Sequence, residues 1–407
     1  MAVGLSGVLP PLHAVGGIRI GVTAAGIRKP GRRDLVVIEI APGAECAAIF
    51  TRNAFCAAPV TVARGNLAGR MPRYLLINTG NANAGTGAAG LRGAEECCAA
   101  LAARAGCDPA EVLPFSTGVI GEPLPVDRII QGLPAALAAL RADGWGDAAA
   151  GIMTTDTVPK GVSRRVQLGG HAVTITGIAK GAGMIHPDMA TMLAFVATDA
   201  RVNPVLLRRC LQAAAEESFN SITVDGDTST NDACILLATG TSSAPALSSE
   251  DDERYPVLRE AITEVCAGLA QAIVRDAEGA TKFITVEVVE GRDRDECRTV
   301  GYAVALSPLV KTAFFASDPN WGRILAAVGR SGLADFDVDA VSIYLDEICI
   351  VRGGGRAPDY TEERGRQVMQ GSEITIRIVL ARGRAQARVW TSDFSYDYVR
   401  INAEYRT

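Results

Sequence analysis

The chain is poor in the residues that carry most metal and redox chemistry. Its three histidines, His13, His171 and His186, are too few and too scattered for a metal cluster or a histidine-based triad. The ten cysteines include the adjacent pair Cys97–Cys98 but form no C-x-x-C, and a chain of 407 residues is too long to be a disulfide scaffold. They read as buried free thiols in a reducing compartment. No lysine/arginine cluster is present, and the net charge of -5 argues against a nucleic-acid footprint. Small anionic or zwitterionic ligands stay open, because local charge binds them. No apolar run reaches the roughly 18 residues that a membrane span needs. The opening MAVGLSGVLPPLHAVGG lacks a basic stretch and is broken by Pro10–Pro11, so it makes a poor signal peptide. The expectation is a soluble, cytoplasmic protein that uses no metal and no cofactor and binds neither nucleic acid nor membrane.

What the chain does have is ordinary globular material, 48% hydrophobic and 21% charged, enough for one large domain or two to three smaller ones. Strands are expected at IRIGVTA, DLVVIEIA, CAAIFTR with AAPVTVA, and Tyr74–Ile77. A helix over Leu91–Ala105 closes at Gly106, and another spans Val126–Arg141. Arg165–Leu168 and Ala172–Thr176 flank Gly169–Gly170 as a hairpin. Asn203 and Pro204 open a helix that runs to about Glu217, and Tyr255–Arg275 is strongly amphipathic. A strand over Thr281–Val289 and a helix over Glu296–Leu306 follow. The last hundred residues read as strands (AVSIYL, EICIV, EITIRIVL, ARVWTS and YVRIN), with a helix only at Tyr360–Met369. The pattern predicts a mixed α/β (α+β) fold with layered sheets rather than a regular βαβ series.

Several strings carry chemistry. Gly85, Gly87 and Gly90 spell G-x-G-x-x-G, but Asn78–Ala84 separates them from the preceding strand, so the dinucleotide reading fails. Ser218–Asp232 (SFNSITVDGDTSTND) has Asp225, Asp227 and Asp232 but no acid at the closing position of a calcium loop. It reads as a solvated or site-lining loop. Ser116–Gly121 (STGVIG) is a turn that can aim a backbone N–H and the Thr117 hydroxyl at one point, as an oxyanion site requires. GIMTTDT places Thr154, Thr155 and Asp156 together. Glu278 stands at a helix–strand junction, either lining a pocket or facing solvent. Lys180–Leu193, KGAGMIHPDMATML, is a glycine-rich loop that becomes the apolar strand MLAFVAT at Thr191. Such a threonine either simply opens the strand or cuts the bond between Ala190 and itself. In the second case its new α-amine, with a reference pKa of about 7.7–8.0, is the base beside the hydroxyl, and His186 is not needed for that role.

Taken in order, KGAGMIHPDMATML, INTGNANAGTG, STGVIG, GIMTTDT, SFNSITVDGDTSTND and SDPNWGR resemble the blocks of the ornithine acetyltransferase (glutamate N-acetyltransferase) family over nearly the whole chain. The resemblance implies a layered αββα-type sandwich built from two associated fragments, 1–190 and 191–407, released by self-cleavage between Ala190 and Thr191. It implies Thr191 as nucleophile, Thr117 and Gly118 as the oxyanion pair, and substrate contacts at Thr154, Lys180, Thr191, Glu278, Asn402 and Thr407. The implied reaction moves an acetyl group from N2-acetyl-L-ornithine to L-glutamate by a ping-pong acyl-enzyme route in arginine biosynthesis, with acetyl-CoA a further donor in some members. The implied assembly is an α2β2 heterotetramer. Two other readings fit the residues: a self-processing threonine amidase or aminopeptidase, and an uncleaved amino-acid-binding protein.

Overall fold

A computed structural model of the chain describes residues 2–186 and 192–404; Ala190, Thr191 and Thr407 lie outside the described residues. The contacts divide the chain into two compact units. The larger comprises Gly7–Asn220 and Asp227–Ile273, the smaller Met1–Ser6, Ser221–Gly226 and Val274–Thr407.

The larger unit begins with β1 (Ile18–Thr23), β2 (Leu35–Ile40), β3 (Glu45–Phe50), α1 (Ala58–Gly69), β4 (Tyr74–Asn81), α2 (Gly87–Ala105) and β5 (Val112–Val119). It continues through α3 (Val126–Ala138), α4 (Trp145–Gly151), β6 (Lys160–Leu168), β7 (His171–Lys180) and β8 (Leu193–Thr198). It ends with α5 (Pro204–Glu216), β9 (Ala233–Ala238) and α6 (Arg254–Arg275), the last turn of which passes into the smaller unit. Two sheets form, in the strand orders β1-β2-β4-β5 and β3-β9-β8-β7-β6.

Strand alternation explains how these sheets stack. Ile38, Leu75 and Phe115 of the first sheet meet Ile178, Phe195 and Ile235 of the second in one core. The Phe115 and Phe195 rings pack edge-on with centroids 5.2 Å apart, a geometry worth about 0.5–1.5 kcal/mol beyond the buried area. The alternate residues Leu35, Val37 and Leu76 pack instead with Leu101 of α2 and Leu133 of α3. Because both faces of these strands are covered, they read as continuous apolar runs. Behind the second sheet, Gly177 leaves room for Val265 and Leu269 of α6, which an added Cβ would approach to 3.1 and 3.0 Å. The order of layers is helix, sheet, sheet, helix, the αββα sandwich expected from the resemblance.

The smaller unit contains β10 (Phe283–Gly291), α7 (Arg294–Ala305), α8 (Pro308–Phe315), α9 (Trp321–Gly329), β11 (Ser342–Leu345) and β12 (Ile348–Arg352). Then come β13 (Gly355–Arg356), α10 (Glu362–Met369), β14 (Glu373–Val379), β15 (Ala385–Ser392) and α11 (Tyr396–Ala403). Its six-stranded sheet runs β13-β12-β11-β14-β10-β15. Val286, Val288 and Ile376 of the sheet pack with Val300, Val304 and Ile324 of the helices.

The expected hairpin, the Asn203-capped helix and the Gly106-closed helix all form where the sequence places them. Two expected strands do not. AAPVTVA lies largely in α1, where Pro59 occupies the first turn, the place a helix tolerates it. Val60, Val62 and Ala63 are buried there by tertiary packing, which overrides their strand-like pattern. YVRIN lies in α11: the Ser395 hydroxyl caps the Tyr398 N–H, Asp397 stands in the first turn and Arg400 in the last. Helices α8 and α9 also interrupt the tail read as mostly strand. Among the described residues no disulfide occurs, with Cys97, Cys98, Cys210, Cys234, Cys266 and Cys297 buried and the other four partly so, and no helix is long and apolar enough to cross a membrane.

Lys311 of α8 is fully buried. Its Nζ donates to Thr391 Oγ1 at 2.8 Å and to the Ser392 carbonyl, and lies 4.5 Å from the Phe394 ring centroid. Burial pulls its pKa from 10.5 down to about 7, against the opposing charges of Asp393 and Asp225. The unfolded chain keeps that proton until about pH 10, so between about pH 7 and pH 10 the unfolded state binds more protons and stability rises with pH. The expected slope reaches about 1.4 kcal/mol per pH unit. Lys311→Met should flatten it in urea unfolding followed from about pH 7 to pH 9.5; equal slopes in the two proteins would reject the assignment.

Candidate active site

The oxyanion-type turn comes from a break in the first sheet. β4 and β5 run parallel until Gly80, where the register slips and Asn81 faces both Thr117 and Val119. Gly118 there has φ +137°, and a Cβ on it would lie 2.3 Å from the Gly80 carbonyl carbon, so only glycine fits. Thr117 beside it is buried, and its Oγ1 accepts a hydrogen bond of 3.1 Å from Lys180 Nζ. A hydroxyl that accepts from an ammonium keeps its own O–H free to donate.

Lys180 is the last residue of β7 and the cross-strand partner of Leu193 on β8, so the connecting loop leaves and returns at neighbouring positions. The start of that loop is held by Asp156. Its Oδ1 accepts from Lys160 Nζ at 2.6 Å and from the Gly181 N–H at 2.8 Å, and its Oδ2 accepts from the Thr154 N–H at 2.9 Å. Burial alone would raise the Asp156 pKa, but the charges of Lys160 and Lys180 and the Gly181 N–H hold it well below the usual carboxylate range. Arg32 supports the same segment by donating to the carbonyls of Met153 at 2.6 Å and Thr154 at 3.3 Å.

At the other end of the loop the Met192 N–H donates to Asp232 Oδ1 at 3.0 Å. Burial pushes the Asp232 carboxyl well above its usual range, while the Met192 N–H and the charge of Lys180 pull the other way. Asn231 donates through Nδ2 to the carbonyls of Ala82 at 2.6 Å and Ser116 at 2.9 Å. Ser218, Thr230, Asn231 and Asp232 are all buried, which removes the solvated reading of this part of the loop.

In the smaller unit Glu278 occupies the turn before β10 and is only 9% exposed, so it is no surface acid. Asn402 of α11 donates through Nδ2 to Glu278 Oε2 at 2.9 Å. Gly279, at φ +71°, lets α11 approach: a Cβ there would lie 2.4 Å from the Tyr398 nitrogen.

Of the residues singled out from sequence, the structure groups Thr117, Gly118, Lys180 and Thr154 in one unit and pairs Glu278 with Asn402 in the other. Ala190, Thr191 and Thr407 are outside the described residues. Asp156, Asn231 and Asp232 were not assigned roles. A faint signal for two of them is the polar Asn-Asp step directly before the wholly apolar ACILLA, where a polar side chain has to be satisfied inside the core. Gly90 of the rejected G-x-G-x-x-G serves a local turn instead: a Cβ on it would meet Asn83 Oδ1 at 2.4 Å, and Asn83 Nδ2 donates to its carbonyl.

An αββα sandwich that sets a lysine-supported hydroxyl and a glycine turn beside a glycine-rich loop has the donor arrangement that acyl-transfer enzymes use. Residues 19–407 match the model of the ArgJ family, and the chain belongs to that family. A curated relative from Pseudomonas fluorescens (strain Pf0-1), described as "Arginine biosynthesis bifunctional protein ArgJ", is 56% identical over 407 residues, covering 100% of both chains. A solved structure of arginine biosynthesis bifunctional protein argJ from Bacillus halodurans is 37% identical, covers 51% of this chain and 97% of that one, and has a TM-score of 0.49. Ornithine acetyltransferase complexed with ornithine, from Mycobacterium tuberculosis, is 32% identical, covers 43% of this chain and 93% of that one, and has a TM-score of 0.38.

Asp156→Ala should destabilise the fold by about 3–5 kcal/mol, because it removes the carboxylate that pairs with the buried Lys160 ammonium and accepts from two N–H groups. Urea unfolding measures this, and a loss under about 1 kcal/mol would remove Asp156 from the role.

Proposed function

We propose that the protein moves the acetyl group of N2-acetyl-L-ornithine to L-glutamate through an acetyl-enzyme on Thr191, after cutting its own chain between Ala190 and Thr191. The observation that carries the reading is the buried Lys180–Thr117 hydrogen bond beside the Gly118 turn, which leaves the Thr117 O–H free to donate where an acyl oxyanion develops. The family and the relative's description supply the arginine-biosynthetic setting.

In this scheme the α-amine of Thr191 takes the proton of its own Oγ, and Oγ attacks the acetyl carbonyl. The Thr117 O–H and Gly118 N–H stabilise the resulting oxyanion. The amide C–N bond then breaks, and the ornithine α-amine leaves with the proton held by Thr191. Glutamate's α-amine attacks the acetyl ester, and the Thr191 hydroxyl is restored. Lys180 is the proposed point charge for a substrate carboxylate. Glu278, steadied by Asn402, suits the ornithine ammonium. Thr154 and Thr407 are the remaining proposed contacts. The description of the relative as bifunctional supports acetyl-CoA as a second donor. A cytoplasmic α2β2 assembly of cleaved chains belongs to the same reading.

Purified enzyme should sustain ornithine release from acetylornithine only when glutamate is present, and without it release no more than about one ornithine per enzyme as the acetyl-enzyme forms. Continued turnover without glutamate would assign a hydrolase instead. Thr191→Ala should stay a single chain on a denaturing gel and show no turnover; a product split after Ala190 in that variant would sink the mechanism.

A further inference from the structure

Two adjacent side chains that the scheme above leaves idle reach its two moving parts from one place. Asn231 and Asp232 directly precede β9, and they are 7% and 1% exposed. The backbone carbonyl of Asp232 accepts from the Thr51 N–H at 2.9 Å, and the Ala233 N–H donates to the Met192 carbonyl at 3.1 Å, so this step is stitched into the sheet on two sides. From that fixed base the two side chains diverge. Asn231 holds the carbonyl of Ser116, the residue before Thr117, and Asp232 holds the N–H of Met192, the residue after Thr191.

The Asn231 side chain is not free to turn, and Asp232 is anchored through Oδ1. The Asn231 amide donates to Ala82 and Ser116 and accepts from Thr230 Oγ1 at 2.6 Å, which fixes its flip state. Asp232 replaces, with a side-chain oxygen, the carbonyl acceptor that one more rung of the β8–β9 ladder would have given Met192. A carboxyl spent on a backbone N–H inside a core is an expensive choice unless the position of that peptide matters. The two peptides gripped are those flanking the oxyanion donor and the nucleophile, whose separation sets the attack geometry.

We infer that the Asn231–Asp232 step is a positioning clip for acyl transfer, holding the oxyanion turn and the backbone that directly follows the nucleophile at a fixed spacing. The inference rests on Thr191 being the nucleophile, and it adds two residues that touch no substrate. A misplacement of about 1 Å in such a site costs on the order of a hundredfold in rate. Only the acceptor oxygen of Asp232 is required, so asparagine is a conservative replacement, and burial already pushes this carboxyl toward the neutral form that asparagine imitates.

The test compares wild type with Asn231→Ala, Asp232→Ala, Asp232→Asn and Thr191→Ala, each followed by chain cleavage on denaturing gels, thermal melting, and kcat and KM for acetylornithine with glutamate present. Asn231→Ala and Asp232→Ala should lower kcat by about a hundredfold, or leave the chain uncut, with KM within about threefold. Asp232→Asn should restore cleavage and bring kcat within about fivefold of wild type. Folded Asn231→Ala or Asp232→Ala with kcat within about twofold would overturn the clip. If Asp232→Ala fails to fold, Asp232→Asn decides: near-normal kcat supports the clip, and a hundredfold loss in a folded protein overturns it. Thr191→Ala keeps the two ideas apart, since cleavage in that variant defeats the nucleophile reading whatever the other variants do.

Discussion

A lysine ammonium inside a protein core has to be compensated, and the larger unit is arranged around how Lys180 is. Its Nζ meets the Thr117 hydroxyl, and its charge acts on Asp156 and Asp232. With Lys160, it keeps Asp156 ionised. The ionised Asp156 in turn holds the Thr154 and Gly181 N–H groups. The two cations together fix the entrance of the glycine-rich loop through Asp156, and Lys180 also donates to the Thr117 hydroxyl beside the Gly118 turn. Its own place is set by the β7–β8 pairing at the end of the loop.

The sandwich supplies the stiffness this arrangement needs. Thr117 and Lys180 stand at strand ends on two different sheets, and the sheets are locked by the shared core of Ile38, Phe115, Ile178 and Phe195. Side chains on strand ends of a close-packed core move little. The bulge at Gly80–Asn81 is the irregular element, and it falls where the backbone is to be re-aimed at a site.

Elements with strong local signals were legible in the sequence: the Gly169–Gly170 hairpin, the Asn203 cap and the Gly106 stop each rest on backbone chemistry confined to a few residues. α1 and α11 were not, because Val60-Thr61-Val62 and Tyr398–Asn402 carry strand-like patterns that packing and a Ser395 cap override. Within the site, Thr117, Gly118 and Lys180 lie in recognisable strings. Besides near neighbours such as Lys160, Thr154 and Thr230, Asp156, Asp232 and Asn231 reach Gly181, Met192 and Ala82, which lie 25, 40 and 149 positions away in the chain. No local pattern encodes which N–H or carbonyl a buried carboxyl or amide will find, so such residues look like loop polarity until the fold is known.

The strand order β3-β9-β8-β7-β6 bears on what cleavage can do. A cut at Ala190–Thr191 assigns β3, β6 and β7 to one fragment and β8 with β9 to the other. The β9–β8 pair is an inlay: β3 zips along one of its edges and β7 along the other, each through six residue pairs. Removing it would tear two ladders together and bare four strand edges, each a template for aggregation. The inlay also has to be seated before the bond is cut, because two separate chains would need to thread a finished strand pair into a gap in an existing sheet. A cut at that bond would thus come last in folding, and would divide the chain for good without separating its parts.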